Sequence, residues 1–195
     1  MTLANILTLT RIIVIVPIII FLWLDVNWAS WVALFLYSFA CITDFFDGWL
    51  ARKLNHVTRL GQLMDPIADK LLVAALLIFL VALDRLEGVH LIAAAIILMR
   101  EIAVSGLREH LAGMAVSVPV SAVAKWKTFS QMLALGFLIV GDLTQMPDFL
   151  NFMPSFFYIT ESLQMIGIIL IWISALLTFY TGFHYFKAGL QTLLD

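Results

Sequence analysis

The chain has 195 residues, 63% hydrophobic and 12% charged, with a formal net charge of −2. Soluble domains are roughly 45–50% apolar, so this composition and a mean hydropathy of +1.05 exclude an ordinary soluble globular domain and point to an integral membrane protein. The lone cysteine, Cys41, excludes an internal disulfide and reads as a helix-packing residue.

Apolar runs predict six helices, over 4–24, 28–52, 63–83, 88–110, 121–142 and 159–186. A spanning helix needs about 20 mainly apolar residues to cross a core of roughly 30 Å. The expected fold is therefore all-α, an integral membrane bundle of six transmembrane helices forming one domain over 1–195. The first run lacks a basic leader and a cleavage site and is read as a retained span, kinked at Pro17, whose ring removes one backbone hydrogen bond. Trp23, Trp28 and Trp31 fall where an aromatic belt is expected. The fifth connection, over 142–160, carries Pro147 and Pro154. Its stretch FLNFMPSFFY mixes aromatic and polar residues and leaves room for a short interfacial helix.

Six spans sort the charges. Arg11, Arg52, Lys53, Arg59, Lys70, Arg100, Arg108, Lys125, Lys127 and Lys187 fall toward one side, leaving Arg85 as the exception among the eleven Lys and Arg. The positive-inside rule makes that side cytoplasmic, and the even helix count places both termini there. Asp25, Asp84, Glu87, Asp142, Asp148 and Glu161 lie toward the other.

The costly stretch in this apolar chain is DFFDGWLARKLNHVTRLGQLMDPIADK. Asp44 and Asp47 are three apart, and Asp65 and Asp69 four apart, so each pair lies along one helix face. If the two helices pack antiparallel, four carboxylates converge near the cytoplasmic boundary. Two like charges about 5 Å apart repel by roughly 3 kcal/mol at an effective dielectric of 20, so the set demands counter-charge. Arg52 and Lys70 supply part of it. Clustered hard oxygens suit Mg2+ or Mn2+, and two such ions handle phosphoryl chemistry. Gly48 and Gly61 allow a ligand to approach the backbone closely. The plainer alternative, interfacial aspartates each paired with a neighbouring base, does not account for four acids interleaved with two glycines.

The pattern Asp44-x-x-Asp47-Gly48-x-x-Ala51-Arg52, eight residues, then Gly61-x-x-x-Asp65-x-x-x-Asp69 resembles the signature of the CDP-alcohol phosphatidyltransferases. That resemblance implies membrane enzymes that displace CMP from a CDP-linked lipid or alcohol. It implies that Asp44, Asp47, Asp65 and Asp69 hold two divalent cations and that Asp69 is the general base. It also implies contacts to the CDP moiety from Gly48, Arg52, Thr58 and Gly61, with Asn5, Thr8 and Arg11 of NILTLTR resembling the N-terminal nucleotide-side motif.

Further along, REIAVSGLREH from Arg100 and KWKTFSQM from Lys125 resemble the bacterial branch that takes glycerol 3-phosphate as acceptor and CDP-diacylglycerol as donor. Cations at or inside the membrane boundary are costly and usually functional, and arginine offers a planar fork to phosphate oxygens. Arg100, Arg108, Lys125 and Lys127 are thus the candidate acceptor-phosphate residues, against the alternative that they pair with Glu101 and Glu109 or reach lipid headgroups. The resemblance also implies a homodimer in the bacterial inner membrane with a cytoplasmic active site, and no nucleic-acid partner is expected. The four histidines show no metal-ligand spacing, and no serine lies in a nucleophile elbow. Two rivals remain: a sister transferase using inositol phosphate, serine or phosphatidylglycerol, and a cation transporter with intramembrane acids.

Overall fold

The computed structural model describes residues 3–24, 28–54, 59–113, 122–140 and 154–194. They form six helices: α1 (Leu3–Trp23), α2 (Ala29–Leu54), α3 (Arg59–Ala82), α4 (His90–Gly113), α5 (Ala122–Val140) and α6 (Pro154–Leu194). The protein is an all-α membrane bundle. By length and composition three segments can cross a membrane outright, Asn5–Trp23, His90–Arg108 and Ser162–Lys187, and a shorter apolar helix covers Ala29–Asp44.

The largest differences from the expected boundaries are at the start of α3 and at both ends of α6, which runs to Leu194 rather than 186. α3 begins at Arg59, four residues before the apolar run, because a helix extends past its lipid-facing apolar part into the polar boundary. α6 begins at Pro154, a residue preorganised for the first helical position, and runs 41 residues, about 60 Å at 1.5 Å per residue. The PSFFY part of the expected interfacial segment therefore belongs to α6, and the rest of that segment lies outside the described residues. α1 continues through Pro17, and α3 through Pro66.

Each helix presents one stripe inward and an apolar face outward. In α1 the buried stripe is Asn5, Thr8, Arg11, Ile15, Ile18 and Leu22, spaced three or four apart, polar toward the N-terminal end of the helix and aliphatic toward the other. Its apolar half joins a core with Tyr37 and Ala40 of α2, Leu72, Leu76 and Leu80 of α3, Ile97 of α4, Leu135 and Leu138 of α5, and Ile171 of α6. Large apolar side chains such as Phe35, Met99, Phe179 and Phe183 face outward, as lipid contact requires and a soluble surface does not. Lipid tails are as apolar as leucine, so close packing holds the helices together instead. At Gly167 of α6 a Cβ would lie 3.0 Å from Leu138 Cγ, which lets α5 and α6 approach closely.

α1 packs against both α2 and α3, whereas among the described residues α2 and α3 do not pack along one another. Among the described residues α1 thus lies between α2 and α3. α4 and α5 each pack on α6, and α5 touches α2 and α3 to join the two halves.

Arg85, the exception in the charge sorting, has a structural explanation. α3 ends with Asp84 in a left-handed conformation (φ 57°), and the amides of Asp84 and Arg85 donate back to the carbonyls of Val81 at 3.1 Å and Leu80 at 3.0 Å. That turn sends the buried Arg85 side chain to the end of α5, where Nη1 donates to the carbonyl of Ile139 at 2.7 Å, while Nη2 donates to Ser30 Oγ at 3.3 Å. A cation at a helix C-terminus satisfies orphan carbonyls and the negative end of the helix dipole.

Candidate active site

The polar end of the α1 stripe meets the acidic faces of α2 and α3. Arg11, whose side chain is fully buried, places Nη1 2.5 Å from Asp44 Oδ1 and 2.6 Å from Asp69 Oδ1. Thr8, one turn earlier, donates through Oγ1 to Asp65 Oδ1 at 2.7 Å. Asn5 is buried one turn before that, and Gly61 is buried one turn before Asp65 on α3. Three of the four sequence-predicted carboxylates are therefore brought together on side chains from α1.

The side chains of Asp47, Gly48, Arg52 and Thr58 lie outside the described residues, although the backbones of 47, 48 and 52 belong to α2. The expectation that Arg52 supplies counter-charge therefore also lies outside the described residues. Among the described residues the cation between the acids is Arg11.

Solvent reaches this group from one side. The Asp44 and Asp69 side chains are 29% and 46% exposed, against 0% for Arg11. Buried donors from α1 thus hold one oxygen of each acid, while the acids themselves stay partly exposed. Among the described residues Asp44 and Asp65 each engage through Oδ1, leaving the second oxygen of each to a further partner. No group of three His, Cys, Asp or Glu in a metal-holding arrangement occurs among the described residues. The donor set is nonetheless of the right kind: hard carboxylate oxygens, partly solvated, on rigid helices.

A second polar cluster joins α4, α5 and α6. Lys127, buried on α5, pairs with Glu101 of α4, and Arg100 Nη1 lies 3.6 Å from the same Oε1. Arg100 Nη2 donates to Thr181 Oγ1 at 3.1 Å, and Arg108 Nη2 donates to Tyr185 Oη at 3.2 Å. Three of the four predicted acceptor residues, Arg100, Arg108 and Lys127, therefore stand in one neighbourhood. Lys125 is exposed, two residues from Lys127 and so on another face of α5.

Sequence reasoning gave Glu101 only as an alternative partner and missed Thr181, Gly182 and Tyr185. The available signal was their spacing, small and polar residues one turn apart on a helix that is otherwise apolar.

The family described as CDP-alcohol phosphatidyltransferase matches residues 1–180. A relative named CDP-diacylglycerol–glycerol-3-phosphate 3-phosphatidyltransferase, from Rickettsia typhi, is 45% identical over 186 residues, covering 95% of this chain and 96% of the relative. Relatives with the same name from Cereibacter sphaeroides and Shigella flexneri serotype 5b are 34% and 36% identical, each over 98% of this chain and 96% of their own length.

Proposed function

The chain belongs to the CDP-alcohol phosphatidyltransferase family, and from that premise we propose that it transfers the phosphatidyl group of CDP-diacylglycerol to glycerol 3-phosphate. The products are phosphatidylglycerophosphate and CMP, a step of phospholipid biosynthesis. The observation that carries this reading is the convergence of Asp44, Asp65 and Asp69 on Thr8 and Arg11. It unites the two halves of the aspartate signature with the N-terminal motif in one solvent-facing group.

Members of this family use divalent cations. Here Asp44, Asp47, Asp65 and Asp69 would hold two of them, Mg2+ or Mn2+, which when bound polarise the phosphoryl oxygens and stabilise charge on the departing nucleotide. Asn5, Thr8, Arg11, Gly48, Arg52, Thr58 and Gly61 form the CDP side of the cavity. Arg11 and Thr8 orient the acids, each holding a carboxylate oxygen. Asp69 takes the proton from the primary hydroxyl of the acceptor, consistent with its being the more exposed of the two acids that Arg11 touches. Arg100, Arg108, Lys127 and, from the adjoining exposed face, Lys125 bind the acceptor phosphate. Two guanidinium and two ammonium groups match a phosphate dianion better than the serine zwitterion, whose own ammonium they would repel.

The acyl chains remain in the bilayer while the headgroups react at its cytoplasmic face. The bias of the basic residues supports the bacterial inner membrane with both termini inside. A single domain over 1–195 and a homodimer complete the reading, the latter resting on family resemblance alone. The testing experiment incubates purified protein with CDP-diacylglycerol, Mg2+ or Mn2+ and a panel of alcohols while following CMP. Release with glycerol 3-phosphate is expected; release only with serine, inositol phosphate or phosphatidylglycerol would replace the acceptor, and metal flux without CMP release would replace the enzyme.

A further inference from the structure

The acceptor cluster has a feature that its cations alone do not explain. Arg100 and Arg108 lie two turns apart on α4, about 12 Å along the axis at 1.5 Å per residue. Both nevertheless bend toward one ring: their Cζ atoms are 5.9 Å and 5.6 Å from the centroid of Tyr185, which is 6% exposed. Guanidinium groups within about 6 Å of an aromatic face are attracted by its quadrupole. The Tyr185 hydroxyl also accepts from Arg108 Nη2 at 3.2 Å.

The same face of α6 shapes the other arginine. Thr181 Oγ1 accepts from Arg100 Nη2, and at Gly182 a Cβ would lie 2.9 Å from Arg100 Cγ, so only glycine leaves room for that side chain in this position. Thr181, Gly182 and Tyr185 are spaced to share one side of the helix. α6 thus carries a mould for the two arginines that α4 supplies, and two like charges are held near one ring instead of spreading apart.

Resting on the acceptor-phosphate reading given above, we infer that Tyr185 is a positioning residue that sets the spacing and direction of Arg100 and Arg108 toward a phosphate monoester. Its ring places both guanidinium groups, its hydroxyl fixes the orientation of Arg108, and Gly182 and Thr181 complete the seat of Arg100. Tyr185 acts through the arginines.

The test compares Tyr185→Leu, which removes ring and hydroxyl, with Tyr185→Phe, which keeps the ring. CMP release is followed against glycerol 3-phosphate and, separately, CDP-diacylglycerol. Loss of the hydrogen bond alone should raise KM for glycerol 3-phosphate by about 3- to 10-fold in Tyr185→Phe. Loss of the ring as well should raise it by about 10- to 50-fold in Tyr185→Leu. KM for CDP-diacylglycerol should move by less than about 2-fold in either, and inhibition by inorganic phosphate should weaken in step with the acceptor KM. Parallel changes for both substrates, or an unchanged acceptor KM in a wild-type background that uses glycerol 3-phosphate, would overturn the inference and leave the acceptor reading standing. A wild-type protein that releases CMP only with an unphosphorylated alcohol would overturn both. If Tyr185→Leu does not fold, the nearly isosteric Phe variant decides alone.

Discussion

Arg11 of α1 donates through Nη1 to Oδ1 of Asp69 on α3 at 2.6 Å, joining residues 58 positions apart in the chain. The same nitrogen lies 2.5 Å from Asp44 of α2, so one buried guanidinium ties three helices together at the candidate site.

Replacing Arg11 by Met would leave Asp44 and Asp69 facing each other with their shared cation gone. Breaking a buried ion pair costs about 3–5 kcal/mol, and the partial exposure of both acids reduces this to about 2 kcal/mol. Arg11→Met is expected to lower Tm, and added Mg2+ should raise Tm more in the variant than in the wild type, because a divalent ion replaces the lost positive charge. Equal responses in thermal melts would contradict this.

Asp69→Asn keeps the shape of the side chain and removes its ability to take a proton. CMP release should fall by at least about 100-fold, the usual contribution of a positioned base, while CDP-diacylglycerol binding stays measurable. A variant with full turnover would reassign the base to another group.

Glu101 holds Lys127 in a pair whose side chains are only 19% and 6% exposed. Glu101→Gln strands a buried ammonium and should lower stability by about 2–4 kcal/mol, whereas Lys127→Met leaves Glu101 with Arg100 at 3.6 Å and should cost less. The double variant should recover at least about 1 kcal/mol of the summed loss. Additive losses in denaturation would show that the two side chains do not depend on one another.

Arg85 lies in the bundle as a helix cap, remote in chemistry from the acids. Arg85→Met should lower stability by about 2 kcal/mol through the lost bonds to the Ile139 carbonyl and Ser30, with KM for both substrates unchanged. A kinetic defect without a fall in Tm would contradict the capping role.

Local pattern carried much of this in advance. Six apolar runs gave six helices, since length and hydropathy decide what spans a bilayer. Asp44, Asp65 and Asp69 were singled out because carboxylates are costly in so apolar a chain. The partners were less legible. Lys70 is an expected counter-charge because it is near in sequence, whereas Arg11 comes from a helix that, among the described residues, lies between α2 and α3, and spacing holds no information about that insertion. The start of α3 at Arg59 escaped because hydropathy marks the lipid-facing part of a helix, which is shorter than the helix. Tyr185 and Gly182 looked like ordinary membrane-helix residues until α4 was placed beside them.

The central claim is that the acids gathered on Arg11 and Thr8 bind divalent ions for CMP displacement. It is tested most directly by CMP release from CDP-diacylglycerol and glycerol 3-phosphate as free Mg2+ or Mn2+ is titrated from zero, in the wild type and in Asp65→Ala. Release that vanishes on chelation, returns with either ion, and is lost or needs at least about 10-fold more ion in the variant is the expected result. Release that persists at full rate after chelation, or an unchanged ion requirement in Asp65→Ala, would contradict it.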